Sequence, residues 1–187
     1  MEMVIAMGGI LDDLDQAEVF ENSDFFAAGR YIVRIEACKF ILKGHKGDSF
    51  VVEATVLGVI AEDGEVKQKD GSMEMVNYPR VGVRAAQIWG ASGTEQRIKQ
   101  GRGTWIAFLC SAFGVKKARF TGPEWKSHSG AVLDGHLNGQ IFGLDCHMVR
   151  TKEDGPFTVH NWRGPQTPAQ LAEFGLAADG SPLVAPA

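Results

Sequence analysis

Two sets of residues in this chain have the types and spacing that chemistry needs. The first is a group of nitrogen and sulfur donors in the C-terminal third: His128, His136, Cys146, His147 and His160. Zinc needs four converging ligands, commonly supplied as Cys-x₂₋₄-Cys or His-x₃₋₅-His pairs, and neither spacing occurs here. Cys146 and His147 are neighbours in an extended run, so their side chains point to opposite faces. The sequence therefore argues for no metal and no cofactor. Catalytic motifs are missing too: there is no phosphate loop ending in Gly-Lys-Ser/Thr, no Gly-x-Ser-x-Gly and no His-Glu-x-x-His. The glycines of GVRAAQIWGASG lack the strand, turn and helix order of a dinucleotide site. The expectation is a protein that is not an enzyme.

The second set is basic residues interleaved with aromatic ones. Lys39, Lys43, His45 and Lys46 stand near the first turn; Tyr78, Arg80, Arg84 and Trp89 in and before a later run; Lys116, Lys117, Arg119, Phe120, Trp125 and Lys126 in a connector; Arg150, Lys152, His160, Trp162 and Arg163 around the last turn. Single-stranded nucleic acid is held by cations that track phosphates and by aromatic faces on which bases stack. The pattern selects Lys43, His45, Lys46, Arg80, Arg84, Trp89, Lys116, Lys117, Arg119, Trp125, Arg150, Lys152, Trp162 and Arg163 as candidate contacts. Trp162 shares a face with Thr158 and His160, opposite Phe157 and Val159, and is expected to be an exposed platform. Trp105 is expected in the core.

These residues must be positioned by β-structure. In GRYIVRIEACKFILKGHKGDSFVVEATVLG (29–58), Tyr31, Val33, Ile35 and Ala37 alternate with Ile32, Arg34 and Glu36, the period of a half-buried strand. Gly44 and Gly47 punctuate a turn before the β-branched run from Phe50 to Leu57. A further extended run covers Val76 to Trp89. The glycines and charges of GASGTEQRIKQGRG read as an interruption, TWIAFLCSAFG as a short helix stopping at Gly114, and KKARFTGPEWKSHSG as a turn-rich connector. LNGQIFGLDCHMVR and FTVHNWR form a second hairpin across TKEDGP.

Five or six mostly antiparallel strands with one inserted helix predict a mainly β, five- to six-stranded barrel of the oligonucleotide/oligosaccharide-binding (OB) type, with a β-sandwich as the alternative. It spans residues 26–165, between an acidic N-terminal arm (1–25) and a mobile, Pro/Ala-containing C-terminal tail (166–187). A short helix is expected near Gln170 to Phe174.

Charge divides along the same lines. Residues 1–29 hold Glu2, Asp12, Asp13, Asp15, Glu18, Glu21 and Asp24 and neither Lys nor Arg, whereas all 19 Lys and Arg lie from Arg30 to Arg163 in a chain of net charge −4. A mildly basic body suits an anionic ligand. No apolar run approaches the ~18 residues of a membrane span, and the N-terminus lacks the basic start of a signal peptide. A cytoplasmic protein with no membrane partner is expected. Cys38, Cys110 and Cys146 are odd in number and sit in apolar patterns, as buried reduced thiols do.

Three stretches in this order, GRYIVRIEACKFILKGHKGDSFVVEATVLG, IAFLCSAFGV and LNGQIFGLDCHMVRTKEDGPFTVHNW, resemble the single-stranded-DNA-binding or recombination-accessory proteins of bacteriophages. The resemblance covers a little over a third of the chain. It implies an OB-type groove receiving Lys43 to Lys46 and Arg150 to Arg163, a role in phage DNA replication or recombination, and the host cytoplasm as compartment. Where many such proteins end in an acidic tail, this chain ends DGSPLVAPA and has its acidity at the N-terminus. The arm is then the element that recruits replication or recombination proteins, or that occupies the groove when DNA is absent. Homo-oligomerisation stays open. The alternative is a structural or assembly protein, such as a virion component, in which the two appendages clasp neighbouring subunits.

Overall fold

The computed structural model describes residues 24–43, 47–60, 64–67, 73–76, 79–116, 122–150 and 156–183. The strands are β1 (Asp24–Phe25), β2 (Gly29–Ile41), β3 (Ser49–Ile60), β4 (Gly64–Lys67), β5 (Met73–Val76), β6 (Arg84–Gly90), β7 (Ile141–Arg150) and β8 (Pro156–Pro165). The helices are α1 (Glu95–Phe113), α2 (Gly122–Leu133) and α3 (Pro168–Ala172). A six-stranded sheet runs β1-β6-β3-β2-β7-β8, and β4 pairs with β5 in a separate two-stranded sheet. All pairings are antiparallel except the short parallel one between β1 and β6. The protein is mainly β, as the alternation predicts. Among the described residues no backbone ladder joins β8 to β6 or β1, so the sheet is not a closed barrel.

Local irregularities in β2 decide which residues reach the core. Its pairing with β3 shifts register between Ile32 and Val33 and again between Ile35 and Ala37. At the first shift the extra residue is Leu57 of β3, so β2 keeps its alternation; at the second it is Glu36 of β2, and the faces of β2 that follow are flipped. Tyr31, Val33 and Ile35 point inward as expected, but after the second bulge Cys38 takes the inward place that simple alternation gives to Ala37. Ile32 faces the opposite side and is also buried, at 1% exposure.

What buries Ile32 is the C-terminal segment. Thr167 caps α3 in a capping box with Gln170, and Leu171 and Leu176 form a second apolar cluster with Ile32, flanked by Leu57, Ile141 and Phe174. A bridge from Leu176 to Pro182 extends this packing. The mobile tail expected from residue 166 is thus replaced, up to residue 183, by chain laid on the outer face of β2, β3 and β7. Its short helix was legible in Gln170 to Phe174; the apolar Leu171, Phe174 and Leu176 are the residues that anchor it.

The helices differ most from the sequence reading. α1 starts at Glu95, its N-cap Thr94 accepting from the Arg97 N–H, and ends with Gly114 in the left-handed region at φ 63°. The supposed interruption at Gly101 and Gly103 is helix. α2 occupies the supposed connector, and both helices lie between β6 and β7 in sequence. α1 packs against β8 and β6, and α2 against β2 and α1.

An aromatic cluster joins sheet and helices. Phe50 stacks on Trp105 at 4.5 Å and 9° between planes, Trp105 meets Phe108 at 5.4 Å, and Phe108 meets Trp162 at 5.2 Å. The indole N–H of Trp105 donates to Ser129 of α2 at 3.0 Å, and that of Trp162 donates to Gln87 of β6 at 2.7 Å. This second bond links β8 to β6 by side chains where the backbone ladder is missing.

Cys38, Cys110 and Cys146 are free. Burial, helped by the Glu53 and Asp145 carboxylates respectively, pushes the Cys38 and Cys146 thiols up to about 12, so neither supplies a thiolate near neutral pH.

Candidate nucleic-acid interface

The β2–β3 turn is built on Asp48. Its carboxylate accepts from the Lys43 N–H at 2.9 Å, its own N–H donates to Ser92 Oγ at 2.7 Å, and its carbonyl accepts from Ala91 at 2.7 Å. These bonds fix the end of the hairpin to the start of α1. Lys43 takes a positive φ of 53° as the chain turns. The tip residues His45 and Lys46 lie outside the described residues.

Beside this turn the strand ends leave a mostly apolar slot of about 300 Å³ lined by Phe40, Phe50, Ala91, Arg102, Trp105, Ile106 and Trp125. Phe40 and Phe50 are paired residues of β2 and β3, 4.7 Å apart at their ring centroids. α1 contributes Arg102, Trp105 and Ile106 at i, i+3 and i+4, the residues that share one helix face. Arg102 is exposed, Trp125 of α2 is half-buried, and Trp105 forms the buried floor. Aromatic walls with a guanidinium at the rim suit a flat ring that carries or neighbours negative charge.

A second polar surface lies on the outer face of the sheet. Register places Arg34, Thr55 and Arg84 in one row across β2, β3 and β6. Glu36 gathers them: Thr55 Oγ1 donates to it at 2.7 Å, Arg34 Nε at 3.1 Å, and Arg84 approaches at 3.7 Å. Burial opposes its ionisation, but the bonds from Thr55 and Arg34 and the charges of Arg34 and Arg84 outweigh it and hold the carboxyl below its usual range. Nearby Lys39 donates to Glu53 at 2.9 Å. Three cations face two carboxylates, so the row is only mildly positive and its charges hold one another in place.

The structure distributes the fourteen sequence candidates unevenly. Lys43 and Trp125 stand at the turn and the slot. Arg84 belongs to the outer row, and Arg80 is exposed in the turn before β6. Lys116 is exposed just past α1, and Arg163 donates to Asp145 at 2.7 Å on the exposed side of β8. Trp89 is 7% exposed and Trp162 8%. Trp162 is therefore no platform: it shares a face with His160 as expected, but that is the face α1 covers. His45, Lys46, Lys117, Arg119 and Lys152 lie outside the described residues, as does the side chain of Arg150. The register puts the β2–β3 and β7–β8 turns at opposite ends of the sheet. β2, at 13 residues, separates them by about 40 Å.

Sequence reasoning missed Phe40, Phe50, Arg102 and Ile106. The signal for Arg102 was present in Thr94-Glu95, a helix start that would have carried α1 through Arg102.

Among the described residues no group of three His, Cys, Asp or Glu side chains is placed to hold a metal ion. No described helix is long and apolar enough to cross a membrane. Burial also acts on His160: it lowers the imidazole to about 4 against the contrary pull of backbone hydrogen bonds at Thr158 and Phe26. Above pH 6.5 the ring is neutral in both folded and unfolded chains. As pH falls from 6.5 towards 4 the unfolded chain takes up a proton that the folded one refuses, so stability is lost. Between pH 7.5 and 5 the expected loss from this group is about 2 kcal/mol. Urea denaturation at the two pH values should show it, and His160→Gln should remove most of the difference; an equal loss in that variant would assign the pH dependence elsewhere.

No protein-family model and no curated protein matches the chain.

Proposed function

We propose that the protein is a non-enzymatic binder of single-stranded DNA with little sequence preference, acting in phage DNA replication or recombination. The observation that carries the reading is the aromatic slot of Phe40, Phe50, Arg102 and Trp125 beside the basic β2–β3 turn. It combines a stacking surface and cations at one place, as single-strand binders require.

Strand order supports it. The meander β2-β3-β6, the helices that follow its third strand, and the β7–β8 hairpin returned to β2 by the β2–β7 pairing follow the connectivity of a partly open OB barrel. In such barrels the loops between the first two and the last two strands contact the ligand. Here those loops carry Lys43, His45 and Lys46, and Arg150 and Lys152. The acidic arm of residues 1–25 is the natural competitor for these cations and the natural surface for a replication or recombination partner.

Fluorescence anisotropy of a labelled oligo-dT of about 30 nucleotides tests the proposal. With about four phosphates neutralised, affinity should fall roughly 50-fold between 50 and 200 mM salt. Trp125→Ala should weaken binding about tenfold, and Trp125→Phe should largely restore it. Absence of binding at 50 mM salt, even with residues 1–24 removed, would sink the proposal and leave an assembly role, such as that of a virion component.

A further inference from the structure

The described cations divide by what they touch. Every sheet cation whose side chain is described is held by a carboxylate: Arg34 and Arg84 share Glu36 at 3.1 and 3.7 Å, Lys39 donates to Glu53 at 2.9 Å, and Arg30 and Arg163 share Asp145 at 3.8 and 2.7 Å. A phosphate arriving at any of them has a rival already in place. α1 is different. Its Lys99 and Arg102 are exposed, and neither has a carboxylate partner among the described residues.

These two free cations are in line with the aromatic slot. Arg102 belongs to its lining. Lys99 stands three residues earlier on the face that also carries Ile106, about 4.5 Å from Arg102 along the helix axis. Gly103, beside Arg102 on that face, presents no side chain, and a Cβ there would meet no atom within 4 Å, so the surface is open. Glu95, the one acidic residue of α1, lies a further turn towards the helix start and pairs with neither cation. Inside the slot, the Trp105 indole is committed to Ser129 and the Ala91 N–H to the Asp48 carbonyl. The walls therefore offer ring faces, and Arg102 is the one charge at their rim.

We infer that, when a base stacks in the slot, the phosphates beside it are held by Arg102 and Lys99 of α1 and not by the outer row of β2, β3 and β6. This assignment rests on the proposed function and deepens it by giving the strand a helix face as its track. An uncommitted guanidinium takes phosphate oxygens through two parallel hydrogen bonds without breaking any other pair. Arg34 or Arg84 would first have to leave Glu36, a half-buried carboxylate that would lose part of its compensation. Glu95 repels phosphate at the far end of the face, so α1 holds about two phosphates.

The test compares the salt dependence of oligo-dT binding in full-length variants, read by fluorescence anisotropy. Lys99→Gln and Arg102→Gln should each lower the slope of log affinity against log salt by about 0.7, and the double variant by about 1.4, with binding roughly 50-fold weaker at 50 mM salt. Glutamine matches lysine and arginine as a helix former, so urea midpoints should stay at the wild-type value. Arg102→Lys should restore the slope but not the full affinity, because an ammonium lacks the planar fork. The comparison variant, Arg34→Gln/Glu36→Gln, removes a sheet cation together with its carboxylate at unchanged net charge, and should leave slope and affinity at wild-type values. Oligo-dT binding with a wild-type slope in the Lys99→Gln/Arg102→Gln protein would overturn the inference and leave the proposed function standing. An equal loss of slope in the Arg34→Gln/Glu36→Gln protein would also overturn it, moving the phosphates to the sheet. Failure of oligo-dT to bind at all would overturn the proposed function and this assignment together.

Discussion

Replacing Trp105 by alanine is expected to lower the unfolding free energy by about 5 kcal/mol. Truncating a buried Trp costs about 3–5 kcal/mol in transfer and cavity terms. Trp105 is 1% exposed and touches Phe50, Trp89 and Phe108 through ring contacts of 4.5, 5.9 and 5.4 Å. Its removal also strands the Ser129 hydroxyl, which is 8% exposed and accepts from the indole, adding about 1 kcal/mol for a buried group left unpaired. Since natural domains are stable by only about 5–15 kcal/mol, the variant should be largely unfolded at room temperature. Urea titration followed by far-UV circular dichroism measures this directly. Trp105→Phe keeps the stack on Phe50 and loses the N–H, so its midpoint should fall between the two. A Trp105→Ala midpoint close to wild type would mean that the aromatic cluster does not hold α1 to the sheet.

Gly101→Ala should destabilise the protein by about 3 kcal/mol, against the usual sign of the substitution. In an ordinary helix interior, alanine is favoured over glycine by about 1 kcal/mol. At Gly101, however, a Cβ would overlap the carbonyl oxygen of Gly90, and backbone cannot swing aside as a side chain can. Either α1 retreats from the end of β6 or the strand bends, the kind of overpacking that costs about 1–3 kcal/mol or somewhat more. Gly103 supplies the control, because a Cβ there meets no atom within 4 Å. Gly103→Ala should therefore stabilise by about 1 kcal/mol. Two glycines in one helix turn should thus respond in opposite directions, and thermal melts of the two variants suffice to show it. Stabilisation by both substitutions would refute the close approach of α1 to β6.

These residues also show where sequence reading succeeded and where it stopped. β7 was legible in its alternation: Phe142, Leu144 and Cys146 are buried while Asp145 is half-buried and His147 exposed, although Gly143 of the outward set is buried as well, under Gln166. β2 was legible only up to its bulge at Glu36, because a period of two carries no warning of an inserted residue. Gly101 was read as a breaker, yet glycine in a helix also permits a close contact, and only the partner backbone distinguishes the two uses. α2 failed for a related reason. Its only fully described buried positions are Ser129 and Val132, too few to raise an apolar stripe above its polar background.

The candidate site was half visible. The basic turn and Trp125 stood out by residue type, whereas Phe40 and Phe50 read as ordinary strand hydrophobes. Trp162 shows the limit most clearly: shared parity with Thr158 and His160 was right, but parity does not say which side a helix will cover. The answer came from α1, whose Ser111 hydroxyl donates to the Trp162 carbonyl at 2.6 Å.

The place of β2 in the sheet has a consequence for how the chain is made. β2 pairs on one side with β3, which follows it closely, and on the other with β7, so that Gly29 waits for Cys146. During synthesis the first hairpin leaves the ribosome long before Ile141–Arg150 exists. Until then the second side of β2 is a row of unpaired N–H and C=O groups, a template for strands of other molecules. Such distant pairings form slowly. Fragments ending before Ile141 should therefore aggregate through that exposed edge, and the last quarter of the chain acts as its own chaperone for the first.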